Sequence, residues 1–220
     1  MKKIIQKIIH PFYKGYHFWF HRKPRKYAFK DVYTIIQPGV FSPKHTVSTK
    51  VFLDYISTLP LQYKMVFELG CGSGIIALQC AKMEAHVTAS DINQTALDSL
   101  KEVAEKQGLK IVTVYSNILD DFTDSNFDYI FINPPFFPRK AANVTEKAWF
   151  CGEKFEFFEE MFSQLSLFNL DHTQVLMILS DACDMNRLNI IADKNHLCMK
   201  TVYSLQLTFE KDTIYRIAHQ

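Results

Sequence analysis

The sequence predicts an α/β protein with a mostly parallel sheet, and three observations support this. Short apolar stretches with strand character alternate with longer stretches of helical periodicity between residues 65 and 194. Strands separated by helices are joined by right-handed crossovers and pair in parallel. The last two apolar stretches have no helix between them, which predicts a C-terminal antiparallel hairpin. We therefore expect a seven-stranded, mostly parallel sheet with helices on both faces.

Pro, Gly and capping residues set the ends of the predicted elements. A Pro- and Gly-containing loop at 37–43 precedes the first helix, which Ser48 or Thr49 caps and which stops before Pro60. Asn93 caps a later helix that ends at Gly108. The predicted strands are 65–69, 86–91, 111–115, 129–132, 174–179, 199–209 and 213–218, the last two joined by a turn at 210–212. The predicted helices are 50–56, 74–83, 94–107, 153–168 and 183–194.

Size and composition predict one cytoplasmic domain, 38–220, preceded by a short extension, 1–37. The 220 residues are 48% apolar and 22% charged, as in ordinary globular proteins. Five cysteines without a C-x-x-C pair favour reduced thiols over disulfides or a zinc site. No apolar stretch approaches the roughly 20 residues that cross a bilayer, and the start lacks a signal-peptide core because Gln6 and Lys7 interrupt it. We expect a monomer without stable membrane insertion.

The extension is basic and aromatic. Residues 1–30 hold nine Lys or Arg and no acid, so the rest of the chain carries 16 basic and 23 acidic groups. Eight aromatic residues interleave with these charges, a mixture suited to phosphates and stacked bases, and nucleic-acid contact through 1–30 is one interpretation. A short interfacial helix at the start is a second. Packing of the aromatic rings on the main domain, with the charges solvated, is a third.

A glycine-rich stretch and one carboxylate predict a cofactor site. Glu68-Leu69-Gly70-Cys71-Gly72-Ser73-Gly74 lies where a predicted strand turns into a helix, whose N-terminus attracts anions. Asp91 follows Glu68 by 23 positions, a spacing at which an acid meets ribose hydroxyls in dinucleotide-binding folds. Ile75 stands where a nicotinamide fingerprint has its third glycine, so that fingerprint is absent. Glycines that serve only a tight turn are the alternative.

Asn133-Pro134-Pro135-Phe136 predicts a second half of this site. It follows an apolar stretch, 127–132, that reads as a buried strand. Consecutive prolines donate no backbone hydrogen bond, so the chain leaves the sheet at Asn133. Ligands bind at the carboxyl ends of strands in open α/β sheets, and the amide and the ring are therefore carried to that edge. A simple turn residue before proline is the alternative for Asn133.

Together, the stretches 68–74 and 133–136 and the carboxylate of Asp91 resemble the class I S-adenosylmethionine-dependent methyltransferases. Their order and spacing are most similar to the amino-methylating branch, which includes HemK-like release-factor glutamine methyltransferases and the "small methyltransferase" RNA enzymes. The resemblance covers roughly residues 38–220 and implies a Rossmann-like fold, with S-adenosyl-L-methionine as cofactor and S-adenosyl-L-homocysteine as product. The implied cofactor-binding residues are Glu68, Gly70, Cys71, Gly72, Gly74, Asp91, Ile92, Asn117, Ile118 and Asn133.

The resemblance also implies a role for each part of this set. Gly70 and Gly72 hold the methionine part of the cofactor, and Glu68 orients its amino group. Asp91 binds the ribose hydroxyls. The segment Ser116-Asn117-Ile118 flanks the adenine, with Asn117 where many relatives carry an acid.

The implied catalytic residues are Asn133, Pro134 and Phe136. The Asn133 side-chain oxygen and the Pro134 carbonyl accept hydrogen bonds from a planar NH₂ and align its nitrogen for in-line displacement, while Phe136 offers a flat face. The candidate substrate-binding residues are Pro135, Phe136 and Arg139, where Arg139 meets a phosphate or lies in a solvated loop. No metal is implied.

The methyl acceptor stays open between several classes. A HemK-like enzyme acts on a protein glutamine in a release factor, and this interpretation, or an unspecified amino methyltransferase, is favoured. Bacterial HemK-like proteins have a longer N-terminal helical domain than 1–37. The alternative is an RNA or DNA base, adenine N6 or guanine N2, favoured by the basic N-terminus, although related rRNA guanine enzymes often have His where Phe137 stands. A catalytically inactive cofactor-binding module is a minor alternative.

Overall fold

The computed structural model describes residues 23–122, 126–208 and 210–220. In this part of the chain the strands are β1 (Arg25–Phe29), β2 (Val32–Ile36), β3 (Met65–Leu69), β4 (His86–Asp91), β5 (Ile111–Tyr115), β6 (Tyr129–Ile132), β7 (Gln174–Ser180), β8 (Leu197–Gln206) and β9 (Lys211–His219). The main sheet has seven strands in the order β5-β4-β3-β6-β7-β9-β8. Strands β3 to β7 pair in parallel, and β9 runs antiparallel to β7 and β8. The predicted fold class is confirmed.

The helices of the described residues are α1 (Ser48–Ile56), α2 (Ile75–Lys82), α3 (Gln94–Lys106), α4 (Val144–Lys147), α5 (Glu156–Leu165) and α6 (Met185–Lys194). Side-chain caps start three of them, because Asn93, Asn143 and Asp184 accept a backbone N–H from the first turns of α3, α4 and α6. None of the helices in this part of the chain has the length and hydrophobicity needed to cross a bilayer. Helix α4 was not predicted.

Both faces of the sheet are buried at its centre, as β6 illustrates. Its alternate residues enter different cores: Tyr129 and Phe131 join one, and Ile130 and Ile132 join the other. The first core lies under α1, α2 and α3, where the ring of Phe52 packs edge-on against Phe131 with 5.7 Å between centroids. The second lies under α5 and α6. A strand buried on both sides reads as a continuous apolar run, which is why β6 was predicted at its observed bounds.

An N-terminal hairpin, β1 and β2, is an addition that the sequence analysis missed. Its two strands pair antiparallel and pack on α2 and α3. Phe29 and Val32 are buried in the first core, and the Gln107 side chain bonds both the N–H and the carbonyl of Tyr33. Within residues 23–30, the rings of Tyr27 and Phe29 therefore pack on the domain, as the third interpretation of the extension expects. Residues 1–22, the larger part of the predicted nucleic-acid segment, lie outside the described residues.

Several predicted boundaries were wrong. Helix α1 begins at Ser48 and has Val47 at its cap position, so neither Ser48 nor Thr49 caps it. The turn of the C-terminal hairpin does not occupy 210–212, because β9 begins at Lys211, Asp212 already pairs with Ser180 in the sheet and its side chain is fully buried. Helix α5 begins at Glu156, not at residue 153, because Gly152 and Phe155 have the left-handed φ values of 92° and 66°. A left-handed residue cannot continue a right-handed helix.

Candidate active site

One pocket lies where the carboxyl ends of β3, β4, β5 and β6 meet. Because these strands are parallel, the segments that follow them converge at the same edge of the sheet. Twelve of the residues that the sequence singled out line this pocket: Glu68, Gly70, Cys71, Gly72, Asp91, Ile92, Asn117, Ile118, Asn133, Pro134, Pro135 and Phe136. Gly74 and Arg139 lie outside the lining. The structure thus brings together the two halves of the site that the sequence predicted separately.

The glycine loop after β3 is fixed by Asp91, the last residue of the neighbouring strand β4. Gly70 and Gly72 have φ values of 69° and 49°, which favour glycine. Asp91 fixes the loop, since its Oδ2 accepts the Gly72 N–H at 2.7 Å and its Oδ1 accepts the Asn93 N–H at 2.8 Å. Burial raises the pKa of Asp91, and these backbone hydrogen bonds oppose the rise. A Cβ on Gly70 would meet no atom within 4 Å, so this backbone faces open space.

Gly74, by contrast, is a packing position. It has a φ of 70°, precedes α2, and a Cβ there would lie 2.5 Å from Leu100 Cδ1. We expect Gly74→Ala to lower the free energy of unfolding by about 2–5 kcal/mol, from left-handed strain and overpacking together. Gly108→Ala is the matched control, because it has a φ of 67° and nothing within 4 Å of the added methyl. Urea unfolding measures both, and equal losses would contradict the packing role.

Glu68 is a buried acid beneath the loop. Its side chain is 4% exposed, and its Oε2 accepts the Ala77 N–H from the first turn of α2 at 2.7 Å. Burial raises the pKa of Glu68 to about 8, the Ala77 hydrogen bond opposes the rise, and the nearby Asp91 charge adds to it. A pKa of about 8 favours the protonated form of Glu68 at neutral pH.

This raised pKa predicts a pH dependence of stability. Between the ordinary value of 4.5 and about 8, the folded state holds a proton that the unfolded state has released. The free energy of unfolding should therefore fall as pH rises through this window. Glu68→Gln, which mimics the protonated acid and can still accept the Ala77 N–H, should show a flatter decline in urea unfolding between pH 5 and pH 8. Parallel curves for the two proteins would refute the raised pKa.

Asn133 has its amide oriented by a hydroxyl from another element. Its Nδ2 donates to Thr49 Oγ1 in α1 at 3.1 Å, and Thr46 Oγ1 lies 3.3 Å beyond. The Oδ1 of the amide thus points away from Thr49. The next residue, Pro134, is buried, and the ring of Phe136 packs against Phe137 with 4.6 Å between centroids.

Two aromatic residues of the pocket lining, Phe41 and Trp149, were not predicted. The ring of Phe41 approaches that of Trp149, with 4.8 Å between centroids, and both line the pocket. Two backbone hydrogen bonds hold the segment around Trp149 next to Phe137. The Phe137 N–H donates to the Trp149 carbonyl, and the Cys151 N–H donates to the Phe137 carbonyl. Helix α4 adds Val144 and Lys147 to the lining. A signal existed, because Trp149 is one of only two tryptophans and follows the Asn-Pro-Pro-Phe stretch closely.

The remaining predicted residues have mixed surroundings. The Asn117 Nδ2 donates to Glu160 Oε1 at 2.9 Å, and Ile118 is buried with a φ of 54°. The Arg139 guanidinium lies 4.8 Å from the centre of the Phe150 ring. Burial raises the pKa of the Cys71 thiol well above its usual value, which keeps it protonated. Within the described ranges, no three His, Cys, Asp or Glu side chains cluster in a way that could hold a metal ion.

Among the proteins with similar sequences, some are named for methylation of RNA and others for methylation of protein. The chain is 33% identical over 123 residues to the ribosomal RNA small subunit methyltransferase C of Serratia proteamaculans, covering 54% of this chain and 34% of that protein. It is 37% identical over 95 residues to the release factor glutamine methyltransferase of Streptococcus pneumoniae, covering 42% and 34%. The chain thus spans about a third of the length of the curated relatives it matches.

A solved structure supports the same fold. A chain of the E. cuniculi Mtq2-Trm112 complex, which is responsible for methylation of the eRF1 translation termination factor, aligns with a TM-score of 0.63 and 16% identity. The alignment covers 83% of this chain and 99% of that one. At this level of identity the likeness concerns the fold alone.

The family assignment comes from a match over more than half of the chain. The model of the family described as "Methyltransferase small domain" matches residues 31–151. This range contains the glycine loop, Asp91 and the Asn133 segment, which are the parts that form the pocket. The chain therefore belongs to the methyltransferase small domain family.

Proposed function

We propose that this protein is an S-adenosyl-L-methionine-dependent N-methyltransferase that acts on a planar NH₂ group. The observation that carries the proposal is the position of the Asn133 amide. It lies in the same pocket as the glycine loop and Asp91, and its Nδ2 is held by Thr49. With Nδ2 bound to Thr49, the Oδ1 is the end of the amide left to accept a hydrogen bond from a substrate. Family membership supports the same activity.

The pocket fits the cofactor on the strength of its own residues. Open space beside Gly70 admits a ligand against the backbone, and the Asp91 carboxylate presents acceptors suited to ribose hydroxyls. Glu68, buried beneath the loop, faces the cofactor's amino group, which as a cation favours the ionised carboxylate. Asn117 and Ile118 flank the adenine. When bound, the cofactor supplies an activated methyl group on a sulfonium.

The residues on the acceptor side position a nitrogen and need little acid–base chemistry. The Asn133 Oδ1 and the Pro134 carbonyl accept the two N–H bonds of a planar NH₂, which holds its nitrogen in line with the methyl. Two acceptors also favour a pyramidal nitrogen with a localised lone pair. Phe136 provides the flat face against which the planar group lies. The paired rings of Phe41 and Trp149 add an apolar wall to the pocket.

The favoured substrate is a glutamine side chain in a protein. The Streptococcus pneumoniae relative is named for that reaction. The second candidate is an amino group of an RNA base, which the Serratia proteamaculans relative and the basic N-terminal residues favour.

Transfer of label from tritiated S-adenosyl-L-methionine to a cell extract tests both the activity and the substrate class. We expect label in the macromolecular fraction that is released by protease and not by nuclease. Release by nuclease alone would assign the reaction to RNA. If a known methyltransferase labels the same extract and this protein does not, the proposed function is contradicted. Extract from cells lacking the gene provides unmethylated substrate.

A further inference from the structure

We propose that Thr49 is a positioning residue for methyl transfer, which sets the end of the Asn133 amide that faces the acceptor. The inference rests on the proposed function and deepens it. An Asn amide has nearly the same shape when its oxygen and NH₂ exchange places, but only one orientation presents an acceptor to a substrate NH₂. Some neighbouring group must therefore select between the two.

The geometry around Thr49 makes this selection. The Asn133 Nδ2 lies 3.1 Å from Thr49 Oγ1, and the hydroxyls of Thr49 and Thr46 lie 3.3 Å apart. A hydroxyl has one proton. The 3.3 Å contact fits either hydroxyl as donor, and we assign the donated proton to Thr49. Thr49 then accepts from Asn133 Nδ2, and the amide keeps its Oδ1 on the side away from Thr49. Thr49 is itself buried, and its two partners, Thr46 and Asn133, are partly buried.

The first turn of α1 is itself anchored to the sheet. Ser48, the neighbour of Thr49, donates from Oγ to Asp212 Oδ1 in β9 at 2.9 Å. Asp212 is 0% exposed, and among the described residues its Oδ2 has no hydrogen-bond partner. Burying an incompletely paired carboxyl group opposes folding. We infer that the Ser48 contact holds the first turn of α1, and with it the Thr49 hydroxyl, at a constant distance from Asn133.

Thr49→Val removes the hydroxyl and keeps the shape of the side chain. At saturating cofactor, the rate of methyl transfer into extract should fall on the order of tenfold, the effect of one neutral hydrogen bond. The affinity for S-adenosyl-L-methionine, measured by calorimetry, should not change. Thr49→Ser, which retains the hydroxyl, should restore most of the rate. Thr58→Val is the matched control and should leave the rate unchanged. Thr58 follows the same helix, and its hydroxyl donates to the Tyr55 carbonyl and not to a residue of the site.

A double-mutant cycle separates positioning from a general structural effect. If Thr49 acts through Asn133, then Thr49→Val should cause no further loss of rate in an Asn133→Ala protein. A structural defect would lower the rate in both backgrounds. Thermal unfolding checks each variant, and Thr49→Ala provides a second removal of the hydroxyl if the valine variant does not fold.

The outcomes distinguish this inference from the proposed function. A wild-type rate in both Thr49→Val and Thr49→Ala, with a low rate in Asn133→Ala, would overturn the role of Thr49 alone. Equal fractional losses in the wild-type and Asn133→Ala backgrounds would also overturn it. If Asn133→Ala itself keeps the wild-type rate, the proposed acceptor site is wrong and the role of Thr49 fails with it.

Discussion

Replacing Asn133 with alanine should reduce the rate of methyl transfer on the order of 10²–10³-fold, as expected for loss of a preorganised polar contact at a reacting group. The amide belongs to the acceptor side of the pocket, where Thr49 holds its Nδ2 at 3.1 Å. Cofactor affinity should largely persist, because the glycine loop and Asp91 are held by their own hydrogen bonds. Initial rates with tritiated cofactor, and calorimetry for its binding, measure the two effects separately.

Asn169→Ala is a suitable control for that experiment. Asn169 lies in an exposed loop and its Oδ1 accepts only the local Asp171 N–H. Its substitution should leave rate and affinity unchanged. Turnover at the wild-type level in Asn133→Ala would remove this amide from the mechanism. A loss of cofactor affinity as large as the loss of rate would move Asn133 to the cofactor side of the site.

Asp91→Ala should weaken binding of S-adenosyl-L-methionine by about 100-fold or more. Hydrogen bonds to a charged group contribute about 1.5–3 kcal/mol each, and the carboxylate is proposed to accept from two ribose hydroxyls. The substitution also removes the acceptors of the Gly72 and Asn93 N–H groups, which shape the loop. Both effects act in the same direction. Calorimetric titration of the purified protein with the cofactor measures the change.

Two further variants interpret that result. Asp98→Ala, on the exposed face of α3, removes a carboxylate that only Gln94 bonds and should leave affinity unchanged. Asp91→Asn keeps one acceptor oxygen for the loop, so a folded variant with weak binding would point to the lost charge and not to loop distortion. Affinity equal to that of the wild type in Asp91→Ala would rule out the ribose assignment.

The elements of the main sheet were predictable because their signals are local. Strand β6 is a continuous apolar run, and β3 is interrupted only by Glu68, since helices cover both faces of these strands. The end of β6 was marked by two prolines, and the start of α3 by the Asn93 cap. The hairpin of β1 and β2 escaped prediction because its aromatic and basic residues resemble those of a nucleic-acid-binding tail. Only its packing on α2 and α3 identifies it as part of the domain.

Part of the candidate site was also predictable, for a topological reason. Parallel strands bring their carboxyl ends to one edge, so residues that follow β3, β4, β5 and β6 must converge. Phe41 and Trp149 could not be placed in this way, because they lie in loops whose path depends on tertiary contacts. Asp212 was predicted in a turn because it follows Glu210 and Lys211, and three charged residues in a row do not indicate a buried strand.

Sequence patterns were enough to predict the parallel sheet, the glycine loop, Asp91 and the Asn133 stretch, because strand periodicity, proline and glycine act over a few residues. The orientation of the Asn133 amide could not be predicted in this way. That orientation depends on Thr49, 84 positions earlier in the chain, and on the anchor between Ser48 and Asp212, which are 164 positions apart. Hydrogen bonds across such separations have no local pattern, since they exist only after the sheet and α1 have packed together.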